Sequence, residues 1–184
     1  PPMIFIFTVY CTAIFIFKLR VFFLGKMSFT KIIHQMWNDD NVPNGWKTSP
    51  ELWKQNHPDW NYILWTEKSH KKLLEESYSW FMPYYDKYDY LIQRVDAVRY
   101  FILYTYGGVY CDLDVEPLFP IDILLETYFA KGYNIILSKT SNLKGITNGI
   151  MISKHKHHPF WASFFPELIK RCKNNKYVGK HLRV

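Results

Sequence analysis

Two carboxylates separated by one residue stand in the middle of the chain. Asp112 and Asp114 follow a run of apolar and aromatic residues that ends at Cys111. In an extended segment, side chains alternate, so both carboxylates would lie on the same side of the chain. Paired carboxylate oxygens suit Mg²⁺ or Mn²⁺, which shares its coordination with substrate phosphates. Such a cation neutralises a departing diphosphate. An acidic turn that binds no metal can have the same two residues. The pair alone therefore does not distinguish a metal site from such a turn.

Further candidates lie on the segment before this pair. Asp96 and Arg99 are three residues apart and Asp96 and Tyr100 four apart, so a helix over Ile92–Tyr106 carries all three on one face. An ion pair that only supports the fold is one interpretation, and a grip on sugar hydroxyls is the other. Arg94, on the same helix, is a candidate support for the carboxylates.

The rest of the sequence predicts the elements that must hold these groups. Short apolar runs predict strands at Lys31–Trp37, Asn61–Trp65, Val109–Leu113, Ile135–Ser138 and Ile150–Ser153. Four helices are expected. The first begins at Pro50, with Ser49 as its cap, and ends at Asn56. The others are Glu67–Glu76, Ile92–Tyr106, which Gly107-Gly108 terminates, and Pro159–Cys172. This alternation predicts an α/β sandwich with a largely parallel sheet. In such folds ligands bind beyond the carboxyl ends of the strands, where the acidic pair stands.

Length and composition bound the class of protein. With 184 residues, of which 48% are hydrophobic, the chain predicts one globular domain. The formal net charge of +7 is scattered over helical segments and no nucleic-acid motif accompanies it, so we expect no nucleic-acid partner. Three cysteines without regular spacing predict neither a disulfide framework nor a zinc site. His34 is expected to be a core histidine, and the three histidines of residues 155–158 to lie in a surface loop.

The N-terminus predicts a membrane anchor. Residues Met3–Phe17 carry no charge, and the apolar character resumes after Lys18 and Arg20 up to Leu24. If these two cations extend their side chains toward the interface, the segment is long enough for a hydrocarbon core of about 30 Å. We therefore divide the chain into an anchor at 1–26 and a folded domain at 27–184. The positive charges after the span favour a cytoplasmic domain, whereas a Golgi enzyme requires the opposite orientation, and this conflict stays open.

The motif from Arg94 to Asp114 resembles a known family. Its pattern, R-x-D-x-x-R-Y-x-x-L-Y-x-x-G-G-x-Y-x-D-x-D, is similar to the signature of the DXD-containing glycosyltransferases of family 32. The KIIHQMW segment and residues 56–60 and 63–66 are also similar to that family, so the resemblance runs from Lys31 to Phe165. It implies a GT-A (Rossmann-like) sandwich that binds a nucleotide-sugar and transfers the sugar with retention of its anomeric configuration.

Within the family, the chain most resembles the inositol-phosphorylceramide mannosyltransferases, through Tyr78–Phe81 and Leu91–Phe101. This branch implies GDP-mannose as donor, a sphingolipid acceptor, a single-pass anchor in the Golgi or another secretory membrane, and a possible regulatory membrane subunit. The alternative branches are the N-glycan α-1,6-mannosyltransferases and transferases that use a UDP-sugar.

The resemblance also implies roles for individual residues. Asp112 and Asp114 would bind Mn²⁺ or Mg²⁺, with Asp112 also at the ribose and Asp114 at the diphosphate. Asp96 and Arg99 would contact the donor sugar, and Asn148 the donor sugar or the acceptor. The remaining substrate-binding candidates are Trp37, which either flanks the nucleobase or is a core residue, Arg94 and Tyr100.

One departure from the family pattern concerns the C-terminus. Family members continue past the equivalent of residues 182–184 into a segment with a further metal or phosphate contact, so the resemblance implies that the C-terminal part of the catalytic domain is missing here. Two rival interpretations remain: a non-catalytic homologue that binds nucleotide-sugar or regulates an active subunit, and a structural membrane protein whose acidic pair caps an element.

Overall fold

The computed structural model describes residues 29–140 and 145–173. Its strands are β1 (Ile32–Met36), β2 (Asn61–Trp65), β3 (Gly108–Cys111), β4 (Ile135–Lys139) and β5 (Ile146–Ser153). Its α-helices are α1 (Thr48–Asn56), α2 (Glu67–Ser77), α3 (Met82–Tyr85), α4 (Leu91–Tyr106), α5 (Asp122–Ala130), α6 (Pro159–Ala162) and α7 (Phe165–Lys173), with 3₁₀ turns at Asn44–Trp46 and Ser79–Phe81. The predicted anchor at 1–26 lies outside these residues.

The strands form one mixed sheet in the order β2-β1-β3-β5-β4. The pairs β2–β1 and β1–β3 are parallel, and the pairs β3–β5 and β5–β4 are antiparallel. Because β5 alone is reversed, four of the five strands run in the same direction. The prediction of a largely parallel sheet therefore holds for strand direction, although half of the neighbouring pairs are antiparallel.

Two hydrophobic clusters cover the two faces of the sheet, which makes a three-layer sandwich. On one face, residues of α4 such as Phe101 and Leu103 pack with side chains of α2, α3 and α6. On the other face, α1 and α5 pack on Val109 and Ile152. Consecutive residues of β3 alternate between these clusters, as a strand requires. The strand leading to Asp112 is therefore buried on both sides.

A glycine allows β3 to pass close to β1. Gly108 has a positive φ of 87°, and a Cβ at this position would lie 2.4 Å from the carbonyl oxygen of Ile32. No side chain fits at that distance. The predicted end of α4 at the glycine pair is confirmed, since the helix ends at Tyr106 and Gly107 also has positive φ.

His34 is the core histidine that the sequence predicts. It is fully buried, its Nε2 lies 2.9 Å from the carbonyl oxygen of Gly107, and its Nδ1 accepts a hydrogen bond from the Trp65 indole. Burial lowers the pKa of His34 to about 4. The imidazole is therefore neutral at pH 7 and serves to tie β1 to β2 and to the start of β3.

Some local predictions are wrong. Ser49 does not cap a helix: it lies inside α1, where its hydroxyl donates to the carbonyl oxygen of Val115. The single helix predicted at Pro159–Cys172 is two helices, α6 and α7, because the chain turns at Ser163 and Phe164. The sequence did not predict α5. Among residues 29–140 and 145–173, no helix has both the length and the apolar character needed to cross a membrane.

Candidate functional site

A cleft of about 990 Å³ opens at the edge of the sheet where β1 and β3 end. This volume lies at the upper end of the roughly 300–1,000 Å³ typical of small-molecule sites. The first half of α4 and the start of β5 form its walls. Six of the predicted site residues line it: Trp37, Asp96, Arg99, Asp112, Asp114 and Asn148.

Arg99 is the centre of a polar network in this cleft. Its side chain is only 3% exposed, and its guanidinium lies 2.8 Å from Asp96 Oδ1 and 3.3 Å from Asp112 Oδ1. It also donates to the main-chain oxygen of Asn148 at 2.9 Å, and the Asn148 amide donates to Asp96 Oδ1 at 3.1 Å. The network therefore ties α4 to the end of β3 and to β5, which are far apart in sequence.

Asp112 uses its two carboxylate oxygens differently. Oδ1 accepts a hydrogen bond from the Tyr110 hydroxyl at 3.0 Å and faces Arg99. Oδ2 lies beside Gly149, where a Cβ would come within 3.1 Å of it. The absence of a side chain at Gly149 keeps this second oxygen uncrowded. Oδ1 is thus held by the protein, and Oδ2 is the oxygen suited to a ligand.

The acidic pair does not lie on an extended strand, and that prediction is wrong. β3 ends at Cys111, and the main-chain N–H of Val115 donates to the carbonyl oxygen of Asp112, which closes a turn over Leu113 and Asp114. Leu113 is buried inside this turn, whereas Asp114 is exposed. The two carboxylates still line one cleft, because the turn directs both toward it.

Electrostatics in the cleft favour a cation. The described lining includes four acidic side chains, from Glu67, Asp96, Asp112 and Asp114, and one basic side chain, from Arg99. A nucleotide diphosphate is repelled by such a surface unless a cation binds between them. Burial raises the pKa of the Asp112 carboxyl, although Arg99 and the Tyr110 hydroxyl act in the opposite direction. A bound cation would further favour the charged carboxylate.

The residues present fit a divalent metal that is shared with a substrate. Asp112 Oδ2 and the Asp114 carboxylate are hard oxygen ligands, and Mg²⁺ and Mn²⁺ prefer such ligands. In the part of the chain that the structure describes, no group of three or more His, Cys, Asp or Glu side chains could hold a metal by itself. Two carboxylates therefore leave most coordination positions for phosphate oxygens and water.

The other end of the cleft is aromatic. Trp37, directly after β1, is half-buried, and its ring meets that of Trp46 edge-on at a centroid distance of 4.9 Å. Both indoles line the cleft, together with His70 of α2. Such flat, apolar walls suit a planar ligand group. Trp37 therefore lies in the cleft wall, and its place beside a nucleobase stays a prediction.

Arg94 and Tyr100 are not among the described residues that line the cleft. The Arg94 guanidinium donates to the carbonyl oxygens of Asp86 and Tyr88, and so it fixes the loop before α4. Tyr100 is buried and stacks on Phe164 at 4.6 Å. These contacts, and the hydrogen bond between the side chains of Tyr100 and Asn148, place both residues behind those that line the cleft. A substrate-binding role for Arg94 or Tyr100 stays a prediction.

The sequence-based predictions gave no role in the site to three residues, although Tyr110 is part of the quoted motif. Tyr110 stands two residues before Asp112, on the same side of the chain, so strand alternation could have identified it. Gly149 could have been suspected only from its position after Asn148. Trp46 carried no signal, because its contact with Trp37 depends on how the loop after β1 folds.

The fold and this site together define a class of proteins. The structure matches the solved structure of PaToxG Glycosyltransferase with a TM-score of 0.58 and 17% sequence identity, over 91% of this chain and 70% of that chain. At this identity the match concerns the fold. The mixed sheet, with an acidic turn at its edge, is a GT-A-like fold.

Sequence comparison gives the family. Residues 43–130 match the family described as glycosyltransferase sugar-binding region containing DXD motif. The matched region contains Asp96, Arg99, Asp112 and Asp114. The chain belongs to the glycosyltransferases with a DXD motif, as its sequence predicted.

Mannosyltransferases of fungi are among the curated proteins similar to this chain. The chain is 38% identical over 150 residues to Inositol phosphoceramide mannosyltransferase 2 of Schizosaccharomyces pombe, covering 82% of this chain and 41% of that protein. It is 40% identical over 154 residues to Inositol phosphoceramide mannosyltransferase 1 of the same organism, covering 82% and 46%. It is 28% identical over 151 residues to the Initiation-specific alpha-1,6-mannosyltransferase of Candida albicans, covering 78% and 37%. The chain thus spans less than half the length of these relatives.

Proposed function

We propose that this chain belongs to a metal-dependent, retaining mannosyltransferase that uses GDP-mannose and acts on inositol-phosphorylceramide at a secretory-pathway membrane, with Mn²⁺ or Mg²⁺ as its cation. The observation that supports the proposal most strongly is the pairing of Asp112 and Asp114 in an acidic cleft behind which Arg99 is buried. The names of the S. pombe relatives support the choice of sugar and acceptor.

Each part of the cleft has a proposed role in binding the donor. Asp112 Oδ2 and Asp114 would hold the cation against the diphosphate, and the cation would neutralise the charge of the leaving group. Asp96 and Arg99 would bind hydroxyl groups of the sugar, and the amide of Asn148, which already contacts Asp96, would orient them. The Trp37 and Trp46 rings would flank the nucleobase.

We propose a front-face route for retention. A double displacement needs a free carboxylate beside the anomeric carbon. Asp96 Oδ1 is engaged by both Arg99 and Asn148. Asp112 Oδ1 is engaged by Tyr110 and Arg99, and its Oδ2 is assigned to the cation in this proposal, so neither carboxylate is proposed as the nucleophile. In the front-face route, the departing diphosphate accepts the proton of the acceptor hydroxyl. Detection by mass spectrometry of a mannosyl adduct on a side chain of the protein would exclude this route.

Calorimetric titration of the full chain in detergent tests the donor. We expect GDP-mannose to bind with Mn²⁺ and to lose at least 100-fold in affinity without it. The Asp114→Asn variant should lose the same metal-dependent affinity. Asp89→Asn is the matched control, because Asp89 is also exposed and is not among the described residues that line the cleft.

The result separates the parts of the proposal. Preference for UDP and a UDP-sugar would keep the metal-dependent enzyme and reject GDP-mannose as donor. Binding of GDP-mannose without transfer of mannose to inositol-phosphorylceramide in vesicles would reject the acceptor. If the folded chain binds neither nucleotide in the presence of Mn²⁺, the acidic pair has a structural role and the whole proposal is wrong.

A further inference from the structure

Exposed apolar side chains are concentrated in one segment outside the cleft. Ten large apolar side chains are exposed in the described part of the chain, and three of them, Trp46, Leu91 and Ile92, line the cleft. Five of the remaining seven fall within residues 118–133. We call these five the 118–133 surface: Leu118, Phe119, Leu124, Tyr128 and Tyr133. The cleft does not account for them.

The 118–133 surface begins four residues after Asp114. Leu118 is 82% exposed and Phe119 is 48% exposed, in the bend that connects the acidic turn to α5. Exposing this much apolar surface to water is unfavourable, and polar residues in the bend would avoid it. The position of the bend means that whatever covers Leu118 also lies close to the acidic turn.

Helix α5 continues the same surface. Leu124 and Tyr128 are four residues apart and exposed, whereas Leu125 and Phe129 are buried against the sheet. Tyr133 follows the helix with its ring edge-on to that of Tyr128 at 6.1 Å. The helix is therefore apolar on its outer side as well as on its core side, which a helix facing only water is not.

The polar groups at its border are those found at a bilayer interface. Lys131 Nζ lies 6.0 Å from the centre of the Tyr128 ring, and the two tyrosines carry hydroxyls at the ends of apolar rings. Tyrosine and lysine place an apolar body in the interface while their polar ends reach the headgroups. Asp122, at the start of α5, is neutralised by Lys31 at 3.0 Å. The acidic residues beside the surface are Glu126 of α5 and Glu116, which lies two residues before Leu118. The surface is therefore defined by its apolar side chains and two tyrosines, with Lys131 at its border.

We propose that the 118–133 surface rests on the phospholipid bilayer that contains the acceptor. This inference rests on the proposed function, because an acceptor with acyl chains stays in the bilayer: each buried CH₂ contributes about 0.8 kcal/mol to holding it there. The enzyme must then bring its acidic turn to the headgroups. Because Asp114 lies only four residues before Leu118, a bilayer contact at Leu118 and Phe119 would hold the acidic turn near the headgroups.

Lipid quenching of a fluorophore tests the contact directly. An environment-sensitive dye is attached to the variant Leu118→Cys in a Cys11→Ser background, in which Cys111 and Cys172 are buried. The full chain is placed in phosphatidylcholine vesicles that contain phosphatidylinositol as the anionic lipid. Lipids with a nitroxide near the headgroup should quench the dye at least two-fold. The control dye at Glu75→Cys, on the exposed side of α2, should not be quenched.

Activity measurements separate this inference from the proposed function. The double variant Leu118→Ser, Phe119→Ser should release GDP from GDP-mannose within two-fold of the original rate. Its transfer to inositol-phosphorylceramide in vesicles should fall at least five-fold, and transfer to the same acceptor in detergent micelles should be restored. Trp80→Gln, an exposed aromatic outside both surfaces, is the control and should change neither rate.

Several results would overturn the inference. Equal quenching at positions 118 and 75, or an equal loss of transfer in Trp80→Gln, would show that the 118–133 surface has no special contact with lipid. Disulfide cross-linking between the introduced cysteines of two chains would identify a second copy as the occupant. If the original chain transfers no mannose while the dye at 118 is quenched, the proposed function fails and the membrane contact stands.

Discussion

The two ends of the cleft are built in opposite ways. At the acidic end, α4, the turn after β3 and β5 contribute side chains to one network around a guanidinium that is 3% exposed. At the aromatic end, Trp37 and Trp46 come from a single loop after β1, and Trp46 is 38% exposed. Charged groups need fixed partners, since an unpaired buried charge is costly. A flat apolar surface does not need such fixed partners, so residues of a single loop are sufficient to form it.

This comparison predicts that changes at the acidic end are severe and changes at the aromatic end are graded. The acidic end also contributes to the stability of the fold, because its network joins three elements. The aromatic end should affect ligand affinity with little effect on stability.

The largest effect is expected from Arg99→Met. Removing the guanidinium leaves Asp96 and Asp112 with only the neutral donors Asn148 and Tyr110, and breaking a buried ion pair costs about 3–5 kcal/mol. Because the two carboxylates are 34% and 37% exposed, water offsets part of this loss and we expect about 3 kcal/mol. Urea unfolding measures it. Arg171→Met is the control, since its pair with Glu167 lies at the surface and its loss should change the free energy of unfolding far less.

The next effect separates the two aspartates. Asp112→Asn and Asp114→Asn should each reduce Mn²⁺-dependent nucleotide affinity by about 100-fold, the upper range for groups that tune a metal site. Asp114→Asn should leave the free energy of unfolding within about 0.5 kcal/mol, because Asp114 is exposed. Asp112→Asn should also destabilise the fold, since Arg99 loses a charged partner. If the two variants had the same free energy of unfolding, the conclusion that Asp112 supports the fold and Asp114 does not would be wrong.

Tyr110→Phe should have a smaller effect at the same end. The change removes the hydroxyl that donates to Asp112 Oδ1 and keeps the ring, which lies 4.7 Å from the Arg99 guanidinium. Loss of an outer contact to a metal ligand lowers metal affinity by about 10-fold. Titration of Mn²⁺ by electron paramagnetic resonance measures this. Tyr78→Phe is the matched control: it removes a hydroxyl that bonds to Thr105, so an equal loss of metal affinity there would show a general effect of the substitution.

The smallest effect is expected at Trp46. Trp46→Leu keeps an apolar side chain but removes the edge-on contact with Trp37, which is worth roughly 1 kcal/mol for an aromatic pair. Nucleotide affinity should therefore fall about five-fold with the metal dependence unchanged. Calorimetric titration with and without Mn²⁺ measures both. A loss as large as that of Asp114→Asn would show that the aromatic end is as essential as the acidic end.

Local sequence patterns predicted most of the framework. The bounds of β2 and the end of α4 follow from a short apolar run and from the glycine pair, because both are set within a few residues. α5 was not predicted, since its apolar residues lie on both sides and show no clear helical period. Ser49 was assigned as a cap from its type and its neighbour Pro50, but in the fold its hydroxyl bonds to a carbonyl group 66 residues away.

The sequence by itself determined the family, the acidic pair and the spacing that places Asp96 and Arg99 on one face of a helix. Only the tertiary structure decided how these groups meet. Arg99 reaches Asp112 and Asn148 because β5 pairs with β3 in one particular register and α4 packs across both. The same packing places Arg94 behind the cleft wall, although it belongs to the same motif. Residue spacing fixes neighbours along one element, whereas contacts between elements depend on strand register and on the burial of apolar surface.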